Sequence, residues 1–386
     1  MDVSKENKFS MIRREFPVTE KYAYLDTATT GLFSKKSHQA MVDFIDHRFN
    51  EGVDIPEFLA LWRHADDLRK LVAEMINADA DEIFYADNSS TILNVFSNGI
   101  AIKENSNVVT TNLSFPATPY NWMNRLGGVE KVRIVESKNG MIPYEDLISH
   151  VDENTVAIAL CLVENTSGYR HDIARIGKFC EEKGIYLVLD ATQCISAMEI
   201  DVKKMHVDYL AASSYKWLNN VFGVGFGYVS KRVLEKTKPA FVGWVGNKDR
   251  SNHSRYNLNL SDGANRFETG SVNWIGLKGM EQSIKTYLEL GKKDVEEYIL
   301  GLTAYLYEKV QANPALGIIG PFPEANRSGI TYVKFPGEWG LDDTILRENG
   351  IRAHVADKGL VRISLHYFNN RNDIDRLVEF MGSCGK

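Results

Sequence analysis

Cysteine is scarce in this 386-residue chain. Its four copies, Cys161, Cys180, Cys194 and Cys384, fall in no CxxC or Cys/His spacing, so no metal site is expected. Cys161 and Cys194 sit among apolar neighbours and read as small core residues. Long hydrophobic runs are missing as well. The longest, Val156 to Val163, is far short of the roughly 20 residues that span a bilayer. The opening Met1-Asp-Val-Ser-Lys-Glu-Asn-Lys8 is polar and lacks the apolar core of a secretory signal. A reduced, cytoplasmic setting is therefore the expectation. An excess of positive charge is absent too. Lys and Arg number 45 against 51 Asp and Glu, a net charge of −6, and they are scattered. Without a basic stripe, neither nucleic acid nor an anionic membrane is an expected partner. No internal repeat and no low-complexity linker breaks the chain.

What is present is alternation. Glu82 to Ala86, Asn107 to Thr111, Val156 to Leu162, Tyr186 to Leu189 and Tyr209 to Ala212 are short apolar runs of the kind buried on both faces of a sheet. Helical patterns lie between several of them, as in Ile173 to Lys183, closed by Gly184. Strand–helix alternation of this kind predicts an α/β fold with a mostly parallel sheet between helices. Phe222 to Val229 reads as a further strand of different direction. After about residue 255 the texture changes to a long charged helical stretch, Gly276 to Asn313. Short strands at 329–335 and 360–365 and a closing helix from about Asn372 follow. A length of 386 residues suits about two domains. The expected division is a large domain over 21–255 and a small α+β domain from 1–20 with 256–386.

Ligands of parallel α/β sheets bind beyond the carboxyl ends of the strands. Three of those ends carry chemistry. Asp190-Ala-Thr-Gln193 follows one strand, and an acid in such an apolar setting needs a cation or strong donor to stay ionised; alternatively, it caps the next turn. Asp87-Asn-Ser-Ser-Thr91 follows another and opens a helical pattern, a place where hydroxyls and free N–H groups either bind an anion or simply cap. Ser213-Ser-Tyr-Lys216 follows a third. A lysine held in a dry apolar pocket loses proton affinity and becomes a nucleophile toward carbonyls; on a surface loop it is only a charge. Taken together, a lysine, an acid and a phosphate-type turn at one sheet edge are the set that pyridoxal phosphate requires.

Asp190-Ala-Thr-Gln193 followed by Ser213-Ser-Tyr-Lys216-Trp217 resembles the cofactor signature of fold-type I pyridoxal-phosphate enzymes of the class V aminotransferase family. That family includes cysteine desulfurases, selenocysteine lyases, cyst(e)ine carbon–sulfur lyases and several aminotransferases. The resemblance runs from Tyr24-Leu-Asp-Thr-Ala28 to Arg362-Ile-Ser-Leu-His-Tyr-Phe-Asn-Asn370. It implies Lys216 as the imine-forming lysine, Asp190 as partner of the ring nitrogen and Gln193 as donor to the phenolic oxygen. It implies Ser89, Ser90, Thr91, Ser213 and Tyr215 as phosphate donors, and Phe115 as the ring stacked on the cofactor where relatives often place histidine. Asn165 and Arg362 match residues at the substrate carboxylate, with Ala28 beside them. Ser271, in Phe267-Glu-Thr-Gly-Ser-Val-Asn273, matches a hydroxyl that reaches the neighbouring subunit's phosphate, which implies a homodimer.

The desulfurases of this family carry a cysteine on a mobile loop before the carboxylate arginine. Here the interval Arg352-Ala-His-Val-Ala-Asp-Lys-Gly-Leu-Val-Arg362 is short and contains none. The resemblance thus favours transamination of an amino acid. A β-eliminating carbon–sulfur lyase on cysteine- or cystine-like substrates is the alternative, and persulfide-forming desulfuration is disfavoured. His354 and His366 are nearby candidates for acid–base roles, or structural histidines. Gly223-Val-Gly-Phe-Gly227 could be misread as a dinucleotide loop, but it lacks the third glycine at the required spacing and reads as strand interior.

Overall fold

The computed structural model describes residues 3–250 and 256–384. The outermost parts of the expected domain spans, 1–2, 251–255 and 385–386, lie outside the described residues. Among the described residues, the strands form three sheets. In chain order they are β1 (Ala23–Tyr24), β2 (Ile83–Ala86), β3 (Asn107–Thr111), β4 (Val132–Val135), β5 (Thr155–Cys161), β6 (Tyr186–Asp190), β7 (Tyr209–Ser213) and β8 (Gly225–Val229). Then follow β9 (Gly317–Ile318), β10 (Ile330–Lys334), β11 (Ile351–Arg352), β12 (His354–Asp357) and β13 (Leu360–Ser364).

The large sheet has the order β2-β8-β7-β6-β5-β3-β4. β4, β3, β5, β6 and β7 run parallel, and β8 is antiparallel to both its neighbours. The change of direction expected at Phe222 to Val229 is therefore present. Close packing explains why β8 alternates glycine: a β-carbon at Gly227 would meet the Phe84 ring at 2.2 Å. The apolar strands are buried on both faces, as continuous hydrophobic runs require. β4 escaped the sequence reading because its half-exposed Arg133 and exposed Ile134 mark an edge strand, not a buried run.

Helices cover the sheet. The one at Ile173–Lys183 starts at an Asp172 cap and stops at Gly184, whose φ of 69° is the left-handed value glycine tolerates. The charged stretch after 273 is two helices, Trp274–Leu290 and Lys292–Gln311, broken at Gly291 with φ 83°. The sequence reading has this stretch helical and places no break in it. One glycine in a left-handed conformation turns the chain between them.

The second sheet is antiparallel, β12-β13-β10-β9. The interval before Arg362, expected as a loop, is mostly strand: β12 turns directly into β13, with a bulge between Val355 and Asp357. β1 pairs with β11, and Asp26 bridges to Ser364 at the end of β13. These pairings lay the segment 25–32 between the two larger sheets. One buried apolar core runs through both, from Phe9 and Leu25 past Leu189 and Trp217 to Ile363 and Met381.

Candidate active site

The carboxyl ends of β2, β3, β5, β6 and β7 converge on one edge of the large sheet. Lys216 follows β7 by three residues and is only 9% exposed. Its amine lies 5.5 Å from the centre of the Phe115 ring and 5.6 Å from that of Tyr215, and it forms no salt bridge among the described residues. Burial lowers its proton affinity below the ordinary lysine value; Asp190 opposes that shift and Arg362 adds to it. Asp190 ends β6, directly beside Cys161 of β5 and Ala211 of β7. Burial pushes its carboxyl up, against the hydroxyl and N–H of Thr192 and the charge of Lys216. The Thr192 N–H donates to Asp190 Oδ1 at 2.9 Å. Asp190 forms no salt bridge among the described residues and is held by Thr192 and the charge of Lys216, so this buried carboxylate can take a further cationic partner.

The phosphate-type turn takes its shape from neighbouring strands. Ser213 Oγ accepts the Ser89 N–H at 2.8 Å, and Thr192 Oγ1 accepts the Ser213 N–H at 3.1 Å. Asn88 caps the helix Ser89–Gly99 through the Thr91 N–H. That leaves the Ser90 N–H and the exposed hydroxyls of Ser90 and Thr91 at the positive end of an 11-residue helix. Tyr215 is half-buried, its ring 4.6 Å from that of Phe222. Gln193 is buried between the Ala28 carbonyl, to which it donates at 3.2 Å, and the Trp217 indole N–H, which it accepts at 2.9 Å. The second proton of its amide is left for a ligand.

At the other end of the cleft Arg362 is buried. Its guanidinium donates to Asp26 at 3.1 Å and to the Thr29 hydroxyl, while its Nε is buried without a partner. On the neighbouring strand Tyr332 stands opposite Arg362 and donates its hydroxyl to the Asn165 carbonyl at 2.7 Å. Asn165 Oδ1 is also buried without a partner. Phe115 is half-exposed, held by its N–H on Cys161 Sγ at 3.4 Å. Burial holds that thiol well above the ordinary range, and Glu164 and Asp190 add to the effect. Its value here is therefore as an acceptor, not as a nucleophile.

Lys216, Asp190, Gln193, Ala28, Phe115, Ser213 and Ser89 thus come together. Ser271 stands apart. It is exposed and lines a cavity of about 620 Å³ whose opposite wall carries Asp87 and Thr91. His366 is fully buried, donates its Nε2–H to the Trp217 carbonyl at 2.8 Å, accepts the Tyr367 N–H at Nδ1 and stacks on the Trp217 indole; burial lowers it to about 3. It is a structural histidine, the second of the two readings the sequence allowed. His354 is half-exposed beside Asp343. The sequence reading missed Thr192, Asp26 and Thr29. It also missed Glu164, whose fully buried Oε1 accepts from Thr111, Ser114 and His171 at 2.9, 3.2 and 2.9 Å. An acid at position 164 inside an otherwise apolar strand end was the available signal for the last.

Pyridoxal phosphate fits these groups. The unpaired buried carboxylate of Asp190 suits a protonated ring nitrogen, the opening of the helix at Ser89 suits a phosphate, and the unpartnered Arg362 Nε suits an amino-acid carboxylate. Fold and side chains together define a fold-type I pyridoxal-phosphate enzyme. The family model described as aminotransferase class-V matches residues 23–377, and the chain belongs to that family. It is 27% identical to a protein of Methanothermobacter thermautotrophicus named "Probable cysteine desulfurase", covering 95% of this chain and 96% of that one. It is 24% identical to the "Uncharacterized aminotransferase YcbU" of Bacillus subtilis, with 95% of each covered. The solved complex of the cystine C–S lyase C-DES with cysteine persulfide has the same fold, with a TM-score of 0.86 at 18% identity over 95% of this chain and 99% of that one. No helix among the described residues is long and apolar enough to cross a membrane.

Proposed function

We propose that this chain is a pyridoxal-phosphate-dependent enzyme that acts at the amino group and Cα of an amino acid by transamination. The observation that carries the reading is the buried Lys216 amine between Phe115, Asp190 and Arg362. When bound, pyridoxal phosphate supplies an electron sink for the bonds at Cα. Lys216, its proton affinity lowered by burial, is the base that takes and returns the Cα proton. Asp190 holds a proton on the ring nitrogen by its buried negative charge. Ser89, Ser90, Thr91, Ser213 and Tyr215 hold the phosphate, and Gln193 donates to the phenolic oxygen. Phe115 stacks and excludes water, but it cannot carry a proton, so a single lysine serves both proton positions. Arg362 and Asn165 orient the substrate carboxylate against the segment at Ala28.

The hairpin before Arg362 supports chemistry without a protein thiol. It turns through Gly359 at φ 84°, carries no cysteine, and leaves no long loop to bring one in. The fold shared with the cystine C–S lyase C-DES favours a second reading, β-elimination from a cysteine- or cystine-like substrate, which likewise needs no loop thiol; the relatives named cysteine desulfurase point to desulfuration, which the absence of a cysteine before Arg362 disfavours. Incubation with an amino-acid panel separates them. Transamination gives a keto acid and the amine form of the cofactor. Elimination gives pyruvate, ammonia and sulfide. Alanine with sulfide overturns both readings. A Lys216→Ala variant that still develops the imine colour near about 420 nm overturns the assignment of the lysine.

The division into a large domain over 21–255 and a small one from 1–20 with 256–386 is supported by where most strands lie, β2–β8 in the first span and β9–β13 in the second, while β1 of the first span pairs with β11 of the second. A homodimer with Ser271 reaching the partner's phosphate is part of the same reading, as is a cytoplasmic location, in keeping with free cysteines throughout the described residues.

A further inference from the structure

We propose that the buried carboxylate of Glu164 is a positioning group that holds the turn carrying Phe115, and so fixes that ring where it stacks on the cofactor. The proposal rests on the reading of Phe115 as the stacking ring. Phe115 is 46% exposed, so packing alone does not fix it. Its ring nonetheless stands 5.5 Å from the Lys216 amine, in the turn between β3 and the helix Ala117–Leu126. What holds such a ring is the backbone beneath it. The Phe115 N–H donates to Cys161 Sγ at 3.4 Å, a bond to a weak acceptor. A stronger tether lies one residue earlier. Ser114 donates its hydroxyl to Glu164 Oε1 at 3.2 Å, and Thr111, where the turn begins, donates to the same oxygen at 2.9 Å. Thr111 Oγ1 in turn accepts the Leu113 N–H at 3.2 Å. Thr166, two residues after Glu164, donates its hydroxyl to the Leu113 carbonyl at 3.1 Å.

Glu164 is itself firmly held. Its N–H donates to the Tyr169 carbonyl at 2.9 Å, and its carbonyl accepts the Gly168 N–H at 2.8 Å. His171, also buried, places Nε2 2.9 Å from the same Oε1. A carboxylate that accepts three donors in a dry site is a directional anchor. Its Oε2, however, is buried without a partner. Stability alone does not explain such a group, because an apolar side chain would pack there without leaving an oxygen unsatisfied. The charge of Glu164 acts in the opposite sense to its hydrogen bonds. It pushes the Asp190 carboxyl up, so losing the charge alone would ease the ionisation of Asp190 and tighten its hold on a protonated ring nitrogen. Losing the tether would loosen the stacked ring. The two effects have opposite signs and can be told apart.

The test is titration of the apoprotein with pyridoxal phosphate, read as a dissociation constant from the absorbance of the bound form. The melting temperature of each apoprotein shows that it is folded during the titration. Phe115→Ala is expected to weaken binding roughly five- to tenfold, and Glu164→Ala, which cuts the tether, by a similar factor. Glu164→Gln keeps the acceptor oxygen and loses only the charge, so its affinity should equal or exceed that of the unaltered protein. In the Phe115→Ala background Glu164→Ala should cost nothing further, because Glu164 acts through the ring. If Glu164→Ala does not fold, Ser114→Ala takes its place, with a smaller loss that also vanishes in the Phe115→Ala background. Unchanged affinity in the tether variant, a loss in Glu164→Gln as large as in Glu164→Ala, or losses that multiply in the double variant each overturn the proposal. If Phe115→Ala itself leaves affinity unchanged, the stacking reading is what fails, and the proposal falls with it.

Discussion

Gly31 lies so close to Lys216 that a β-carbon on it would stand 1.9 Å from the Lys216 carbonyl oxygen. The Gly31 N–H also donates to the carbonyl of Tyr215 at 2.9 Å. The segment 28–32 therefore serves as the mould of the lysine turn, and it carries Thr29 to Arg362 in the same stroke.

Gly31→Ala should displace that turn. The contact is backbone against backbone, so no side-chain rotation relieves it. A loss of about 1–3 kcal/mol of stability is expected, with turnover down tenfold or more. Thermal melting and steady-state kinetics on the reconstituted enzyme check both.

Asp190→Asn should move stability and activity in opposite directions. Its carboxyl is pushed up by burial, so near neutral pH the folded apoprotein bears the cost of keeping it charged. Removing the charge should leave the apoprotein at least as stable, while turnover falls by about 10²–10³. A variant with near-normal turnover would remove Asp190 from the ring nitrogen.

Arg362→Lys is not a conservative change at this position. Lysine keeps the charge but loses the planar fork and cannot serve Asp26, Thr29 and a substrate carboxylate at once. A loss of roughly 1.5–3 kcal/mol of substrate binding is expected, seen mainly in KM. Equal loss with amines that lack a carboxylate would count against the role.

His366 predicts an acid limit. Burial lowers it from 6.5 to about 3, so the unfolded chain takes up its proton first as pH falls. The stability that the neutral ring provides is whole above about 6.5 and drains away toward pH 3, with a ceiling of about 5 kcal/mol. His366→Gln should flatten this part of the stability curve in denaturant titrations run between pH 7 and 4. An unchanged slope would mean that other groups set the acid limit.

Alternation of apolar runs with helical patterns was enough to read the parallel sheet and the edge to which Lys216, Asp190 and Ser89 belong, because side-chain periodicity and strand ends are local properties of the chain. Glycine's left-handed turn at 184 was legible for the same reason. The break at Gly291 was not, since a glycine inside a helical pattern is compatible with either outcome until packing decides it. The hairpin before Arg362 was missed because His354 to Asp357 is polar and becomes a strand only by pairing with β13.

The partners of the site residues are a matter of tertiary structure alone. Asp26 and Arg362 are 336 positions apart, and Arg69 and Glu268 are 199 apart. No spacing rule connects such pairs. The sequence by itself determined which chemical groups stand at the sheet's edge, since each follows its own strand directly. Only folding decided which charges are buried against which, and so which proton affinities shift, because those depend on the solvent each group loses and the neighbour it gains.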